Sequence, residues 1–212
     1  MKMTDRETLK QKRRGQMKIK RIFDIFVSVI ILTGLFPLWA MVAVAIKLTS
    51  EGPIFFIQER PGYHRTMIRV YKFRTMYTGS EKMVKGQEVK RGDKRITSVG
   101  HFLRRSKIDE IPQLINVLKG EMSLVGPRPE RVESLQDYDK EISKRLTMLP
   151  GMTGLAQVSG NIYLSLSDRY KLDVYYVQHF SLLLDTKILC RTVGVVMLGE
   201  ERFMGKPLVR VG

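Results

Sequence analysis

The spacing of apolar and polar positions predicts a mostly helical chain. One uncharged apolar run covers residues 25–46, and about 20 such residues suffice to span a bilayer. Two apolar and aromatic runs flank "RPGYHR" and predict a β-hairpin within residues 52–76. Apolar positions with a period near 3.6 predict further helices over residues 98–106, 106–120, 165–180 and 182–199. The expected fold class is therefore α/β, mostly α.

The apolar run carries a proline near its middle, Pro37, with Gly34 one turn earlier. Proline removes a helical hydrogen bond and clashes with the preceding turn, so a kink is expected there. Both flanks are basic: residues 1–21 hold nine Lys/Arg and two acids, and residues 47–107 hold fifteen and five. Because Lys and Arg near membrane ends favour the cytoplasmic side, both flanks are expected on that side. The pattern favours a re-entrant hairpin, with a single transmembrane helix as the alternative.

Several side chains are expected to fix this hairpin at the membrane. Hydroxyls of Ser28 or Thr33 could satisfy a backbone carbonyl that the bend frees. Lys20 and Arg21 are predicted membrane anchors, because their charges can meet lipid phosphates. Pro37 is a third predicted anchor, because its bend would return the chain to the same face of the membrane. A solvated charge cluster is the alternative for the two cations. The apolar helix over residues 182–199 lies either in the membrane interface or in the protein core.

The predicted organisation has four parts. Residues 79–98 read as an exposed loop, and residues 149–161 as glycine-rich turns around a short strand. The parts are a basic N-terminal segment (1–21), a re-entrant membrane helix (22–47), a cytoplasmic or interfacial catalytic domain (48–199) and a C-terminal tail (200–212).

The charge balance points to an anionic partner. The chain has 37 Lys+Arg and 21 Asp+Glu, a net charge of +16. Nucleic acid, an anionic membrane surface and phosphorylated small molecules all fit. The basic residues are spread along the chain beside acids, without a nucleic-acid-binding motif, so we expect no nucleic-acid partner. The single cysteine, Cys190, excludes an internal disulfide, and the N-terminus lacks the features of a secretory signal.

The candidate chemistry lies in "SKIDEIPQLINVLKGEMSLVGPRPE", residues 106–130. Ser106 is a plausible helix N-cap, which would place Asp109 and Glu110 in the first helical turn. Two flanking prolines restrict Arg128, so little freedom is lost when its planar fork binds a phosphate. Adjacent acids at a helix start are most often helix caps. Beside arginines and a divalent cation, however, a carboxylate can attack phosphorus.

Five stretches together resemble the bacterial sugar transferase family, the small monotopic polyprenyl-phosphate phosphoglycosyl transferases. They are "KRIFD", "YKFRTM", "LRRSKIDEIPQLINVLKGEMSLVGPRPE", "PGMTGLAQVSG" and "KLDVYYVQ". The resemblance runs from about residue 18 to residue 198. It implies a re-entrant membrane helix and interfacial amphipathic helices under a small cytoplasmic domain at the bacterial inner membrane.

The resemblance also implies an activity. The expected enzyme moves a sugar-1-phosphate from a UDP-sugar to undecaprenyl phosphate and releases UMP, which initiates lipid-linked glycan assembly. The reaction needs Mg²⁺ and passes through a covalent phosphosugar-aspartate intermediate. Membrane lipids are expected partners, and a homodimer is left open. A catalytically inactive scaffold and a membrane-tethered nucleic-acid binder are the alternatives.

The resemblance assigns roles to individual residues. Asp109 is the expected nucleophile, and Glu110 its acid/base partner; both are candidate metal ligands. The expected substrate- or phosphate-binding residues are Arg128, Arg104, Lys72, Arg74 and Gln157.

The chain departs from the family pattern at three positions. Phe36 stands before Pro37 where the family often has serine, and Leu155 and Asn161 replace a frequent tryptophan and arginine. The arginine missing at position 161 weakens any family-based expectation for donor contacts there.

Overall fold

The computed structural model describes residues 5–80 and 93–209. Seven α-helices and four strands lie in these ranges, together with short 3₁₀ turns. The elements are α1 (Asp5–Gly34), α2 (Phe36–Thr49), β1 (Phe55–Pro61), β2 (Met67–Phe73), α3 (Ser98–Arg105), α4 (Gln113–Lys119), β3 (Ser123–Val125), β4 (Gly151–Thr153), α5 (Leu155–Val158), α6 (Leu166–Gln178) and α7 (Leu182–Leu198). The mostly helical fold class is confirmed.

The strands form two small sheets. β1 and β2 pair antiparallel, with Phe55 opposite Phe73, which confirms the predicted hairpin. Its connection places His64 and Arg65 at positive φ, a region that non-glycine residues enter mainly in tight turns. β3 and β4 pair parallel across the molecule, with Ser123 opposite Gly151. This second sheet brings the segment after residue 125 next to the glycine-rich segment.

The main core lies between the hairpin and helices α4 to α7. Leu114, Val117 and Met122 are buried there with Tyr176 and Ile188. The helices begin where the sequence provides caps, because a serine or threonine oxygen can accept a free N–H of the first turn. Ser165 accepts from Asp168 N, and Ser181 accepts from Leu184 N. The helices predicted over 165–180 and 182–199 are thus confirmed, and Thr97 caps α3 in the same way.

The apolar run is broken as the sequence predicts. α1 and α2 meet at Leu35 with a bend of 62°. Thr33 donates to the carbonyls of Val29 and Ile30, within α1, and the buried Ser28 hydroxyl has no partner among the described residues. Within residues 5–80 and 93–209, no single helix qualifies by length and composition as a membrane span, whereas this bent pair does.

The basic part of α1 is fastened to the rest of the protein. Lys20 is buried and forms an ion pair with Asp185 of α7 at 2.6 Å. Arg21 donates to the carbonyls of Val117 and Leu118, at the C-terminal end of α4. The expectation that Lys20 meets lipid phosphates is therefore wrong, because its ammonium points into the protein. Asp24, at the next turn, accepts from Ser123 Oγ at 2.6 Å.

The helix predicted from Ser106 begins later. Ser106 ends α3, where its hydroxyl donates to the carbonyl of Phe102 at 2.8 Å, so it is not an N-cap. A separate 3₁₀ turn covers Ile108–Glu110, and α4 starts only after Pro112. Proline has no N–H and clashes with the carbonyl four residues earlier, which prevents one continuous helix. The predicted end at Gly120 is confirmed by its left-handed C-cap conformation, φ 81°.

Two of the predicted boundaries between parts of the chain lie inside helices. α1 runs through the boundary between residues 21 and 22, and α2 ends at Thr49 rather than at residue 47. The loop expected over residues 79–98 lies largely outside the described residues, which resume at Asp93. The C-terminal segment packs against α7, where the Arg191 guanidinium lies 4.5 Å from the Phe203 ring centroid.

Candidate active site

The two adjacent acids lie in a tight turn between α3 and α4. Lys107 adopts a left-handed conformation, φ 58°, and the 3₁₀ turn Ile108–Glu110 follows directly. Ile108 packs on the apolar cluster around Leu103. This packing holds the turn against the protein, and Asp109 is buried with 8% of its surface exposed. The pair is therefore presented by a short rigid turn and not by the first turn of an α-helix.

Glu110 is held by two cations from distant parts of the chain. Lys72 of β2 approaches Glu110 Oε1 at 2.6 Å, and Arg128 Nη2 approaches the same oxygen at 3.3 Å. Burial alone would raise the pKa of Glu110, but the charges of Lys72 and Arg128 outweigh burial and hold that pKa below its usual value. Glu110 is thus a fixed anion that orients both cations.

Asp109 is placed differently, although it is the next residue. Among the described residues, none forms a hydrogen bond or ion pair with its carboxylate. Burial, and then the negative charge of Glu110, raise the pKa of Asp109 to about 6. Lys72, Arg104 and Lys107 oppose this rise without touching the group. The carboxylate is therefore surrounded by positive charge and remains free to react.

The Pro-Arg-Pro turn (residues 127–129) carries Arg128 to Glu110. Its path depends on close backbone contacts between the segments that follow β3 and surround β4. A Cβ on Gly151 would lie 2.1 Å from Gly126 N, and one on Gly154 would lie 2.2 Å from Gly126 O. Only glycine permits this approach, because the obstructing atoms belong to the backbone. The glycine-rich motif thus places the turn.

Arg104 is a further arginine near the acids. Its Nε donates to Thr75 Oγ1 at 2.8 Å, and its charge interacts with those of Asp109 and Glu110. Beside it is a cavity of about 150 Å³, lined mainly by apolar and aromatic side chains from the start of β1 and from the segment after β2. The lining includes Phe55, Phe56 and Tyr77. Two arginines therefore act on the acids, Arg104 near the cavity and Arg128 in the Pro-Arg-Pro turn.

Two other predicted phosphate-binding residues have structural contacts. Arg74 is buried, and its guanidinium donates to the carbonyls of Ser50 and Glu51 at 2.7 Å, which fixes the chain after α2. Gln157 donates to the carbonyl of Met152 at 2.9 Å, while its buried Oε1 has no partner among the described residues. A substrate contact for either residue stays a prediction.

Sequence reasoning missed a second polar group at the site. Glu200 Oε1 accepts from Lys107 Nζ at 2.7 Å and from Asn161 Nδ2 at 3.0 Å. Asn161, which stands where the family often has arginine, thus faces a carboxylate from the segment after α7. Glu200 also contributes, after Glu110, to raising the pKa of Arg128. The unusual residue at position 161 pointed to this part of the site in the sequence. Its partner Glu200, however, lies 39 residues away and outside the recognised motif.

The two adjacent carboxylates fit a magnesium ion whose other ligands come from outside the protein. Within residues 5–80 and 93–209, no group of three or more His, Cys, Asp or Glu could hold a metal. Mg²⁺ often needs only one or two carboxylates, with substrate phosphates and water completing its six ligands. Asp109 and Glu110 supply such a pair. Their surroundings fit a shared substrate–metal site better than a permanent protein cage.

Known proteins resemble this chain over most of its length. Residues 15–199 match the sequence model of the bacterial sugar transferase family. The chain is 42% identical over 195 residues to an undecaprenyl-phosphate glucose phosphotransferase of Komagataeibacter xylinus, covering 87% of this chain and 37% of that protein. It is 38% identical over 200 residues to an undecaprenyl-phosphate galactose phosphotransferase of Salmonella typhimurium, covering 87% and 42%.

A third relative has nearly the same length. The chain is 41% identical over 201 residues to the uncharacterized sugar transferase EpsL of Bacillus subtilis, covering 89% of this chain and 97% of that protein. The chain therefore spans less than half of the two phosphotransferases and almost all of EpsL. The resemblance seen in the sequence motifs is confirmed.

Proposed function

The chain belongs to the bacterial sugar transferase family, and on that premise we propose that it transfers a sugar-1-phosphate from a UDP-sugar to undecaprenyl phosphate. UMP is the second product. Relatives named for transfer of glucose, galactose or N-acetylgalactosamine phosphate to undecaprenyl phosphate support this choice of acceptor. Two relatives are named as UDP-glucose:undecaprenyl-phosphate glucose-1-phosphate transferases, which supports a UDP-sugar donor. The reaction would initiate assembly of a lipid-linked glycan.

The observation that carries the proposal is the contrast between the two acids. Glu110 is bound to Lys72 and Arg128, whereas the carboxylate of Asp109 forms no hydrogen bond or ion pair among the described residues. A nucleophile must be free to approach phosphorus, and neighbouring cations must neutralise the phosphate that it attacks. Asp109 meets both requirements, so it is the nucleophile in our proposal and Glu110 orients the cations.

The proposed reaction has two steps. A carboxylate oxygen of Asp109 attacks the phosphorus that bears the sugar, and the bond from this phosphorus to the oxygen it shares with UMP breaks. UMP leaves with that oxygen, and the sugar phosphate is bound to Asp109. An oxygen of undecaprenyl phosphate then attacks the same phosphorus and breaks the aspartyl bond. This regenerates the carboxylate, and two inversions give overall retention at phosphorus.

The surrounding residues have distinct parts in this scheme. Arg128 and Lys72 would neutralise the donor diphosphate, and Arg104, beside the apolar cavity, would meet the phosphate of the lipid acceptor. When bound through Asp109 and Glu110, Mg²⁺ supplies additional neutralisation of phosphate charge. The cations thus surround the phosphorus from both sides.

We further propose that the protein lies on the cytoplasmic face of the inner membrane, with α1 and α2 as a re-entrant hairpin. Support comes from the 62° bend and from large apolar side chains that remain exposed on the helices. Such side chains fit a lipid environment better than water. They are Phe26, Ile30, Phe36, Met41 and Val44 on α1 and α2, and Leu183, Val193 and Met197 on α7.

A lipid-free assay tests the nucleophile. The protein, incubated with Mg²⁺ and each of a panel of UDP-sugars, should release about one UMP per active enzyme. The peptide containing Asp109 should gain the mass of one sugar phosphate. Asp109→Asn should fold yet lose both the adduct and turnover, whereas Asp137→Asn, at an exposed site, should retain them. Substantial turnover by Asp109→Asn, or inversion at phosphorus, would show that the lipid phosphate attacks directly.

A further inference from the structure

Arg145 is a buried cation outside every motif that the proposed reaction uses. It lies in the 3₁₀ segment Ile142–Thr147 and is only 2% exposed. Its Nη2 donates to the backbone carbonyl of Arg128 at 2.7 Å and to Asp173 Oδ2 of α6 at 2.5 Å. Its Nη1 donates to the hydroxyl of Tyr138. One guanidinium thus joins the Pro-Arg-Pro turn to a core helix.

The chemistry of the Pro-Arg-Pro turn explains why a donor is needed. Prolines have no N–H, so Pro127 and Pro129 cannot fasten the turn by donating to the rest of the protein. Carbonyl acceptors remain, and each requires a donor from elsewhere. Gly151 N donates to the carbonyl of Pro127 at 2.9 Å, and Arg145 donates to the carbonyl of Arg128. The second contact acts on the residue whose side chain reaches Glu110.

The surroundings of Arg145 hold the guanidinium in one orientation. A buried charge is costly unless it is paired, and Asp173, also nearly inaccessible at 1% exposed, provides the counter-charge. The guanidinium carbon lies 4.7 Å from the Tyr170 ring centroid and 5.4 Å from the Tyr138 ring centroid, a geometry that favours a cation. The donor to the Arg128 carbonyl is therefore fixed on several sides.

We propose that Arg145 and Asp173 are positioning residues for Arg128. They hold the backbone of the Pro-Arg-Pro turn where the Arg128 guanidinium can contact both Glu110 and the donor diphosphate. This inference rests on the proposed function in one respect, that Arg128 binds a donor phosphate. Neither Arg145 nor Asp173 touches the substrate in this scheme, and their influence passes through Arg128 alone.

A double-mutant cycle tests this dependence. Arg145→Lys retains the charge but cannot supply the forked contacts, and Asp173→Asn retains size while removing the counter-charge. Each of the two variants is assayed alone and in combination with Arg128→Ala. The assay follows the full reaction, the transfer of labelled sugar phosphate from the UDP-sugar to undecaprenyl phosphate. On the wild-type background each should raise the KM for the UDP-sugar about tenfold, with a smaller effect on kcat. On the Arg128→Ala background, each substitution should change the KM for the UDP-sugar by less than about twofold.

A matched control separates positioning from general loss of stability. Asp185→Asn weakens a second buried ion pair, Lys20–Asp185, whose members form no hydrogen bond with Arg145 or the Pro-Arg-Pro turn among the described residues, so its effect should be the same fold-change on both backgrounds. If Arg145→Lys and Asp173→Asn also gave equal fold-changes on both backgrounds, the positioning role would be overturned. If Arg145→Lys does not fold, the Asp173→Asn cycle decides by the same criterion.

The full reaction and the lipid-free assay together distinguish this inference from the proposed mechanism. Non-additive effects of Arg145→Lys and Arg128→Ala on the full reaction, without UMP release in the lipid-free assay, would support the positioning role and overturn the covalent intermediate. Additive effects together with lipid-free UMP release would support the covalent intermediate and overturn the positioning role.

Discussion

Lys20→Met tests whether the basic part of α1 binds the protein core or the membrane. Methionine has nearly the length of lysine but no charge, so the substitution removes the ammonium and preserves most of the packing. The partner Asp185 would stay buried, with the hydroxyl of Tyr176 at 2.7 Å as its remaining side-chain donor among the described residues. Exposed fractions of 5% for the lysine side chain and 8% for the aspartate leave little access for water.

The two interpretations predict different magnitudes. Breaking a buried ion pair by removing one partner costs about 3–5 kcal/mol. For a chain of this size, each kcal/mol lowers Tm by about 2–4 °C, so a fall of about 6–20 °C is expected. A lysine at lipid headgroups would instead contribute about 1 kcal/mol to membrane binding, in a salt-dependent way, with little effect on folding.

Thermal unfolding in detergent micelles, followed by the fluorescence of Trp39, measures the first quantity. Flotation with anionic vesicles at two salt concentrations measures the second. Adding Asp185→Asn to Lys20→Met should restore part of the lost Tm, because no unpaired charge then remains buried. Lys18→Met, at an exposed position on the same helix, should leave Tm almost unchanged. A normal Tm with weakened vesicle binding in Lys20→Met would refute the inward ion pair.

Two further substitutions test the backbone. Gly151→Ala should destabilise the protein by about 3 kcal/mol or more, because its Cβ would lie 2.1 Å from a backbone nitrogen. Gly15→Ala, whose Cβ meets nothing within 4 Å, should be neutral or stabilising. Thermal unfolding of both variants measures the difference. Pro37→Ala should restore about 3 kcal/mol of helix propensity and straighten the bend. Spin labels at positions 26 and 44 should then move from about 23 Å to about 27 Å apart, at 1.5 Å of rise per residue, and an unchanged distance would mean that tertiary contacts impose the bend.

The sequence by itself determined the features that depend on neighbouring residues. Pro37 removes a helical hydrogen bond and clashes with the preceding turn, so a kink in the apolar run was expected from the sequence alone. Ser165 and Ser181 supply local caps, and their helices begin where those caps permit. The two aromatic runs around the Pro-Gly turn were likewise sufficient for the hairpin. Five motif stretches together identified the family, and the adjacent acids and the proline-flanked arginine within them supplied the candidate site.

Local signals also competed, and the stronger steric one prevailed. Ser106 had the form of an N-cap, but Pro112 prevents an uninterrupted helix from Ser106 to Gly120. The acids consequently lie in a 3₁₀ turn. Pro112 is followed directly by α4, which starts at Gln113.

Only the tertiary structure decided which charges meet. Lys72 reaches Glu110 across 38 residues, Lys20 reaches Asp185 across 165, and Arg145 reaches Asp173 across 28. Such pairs leave no periodic pattern, because a charged residue looks the same in sequence whether it faces water or a buried partner. Burial makes the difference, since a charge removed from water must find its counter-charge wherever the fold brings one. For that reason the sequence named the candidate carboxylates, while the packing of β2 and of the Pro-Arg-Pro turn determined that Glu110 is held by cations and that Asp109 is not.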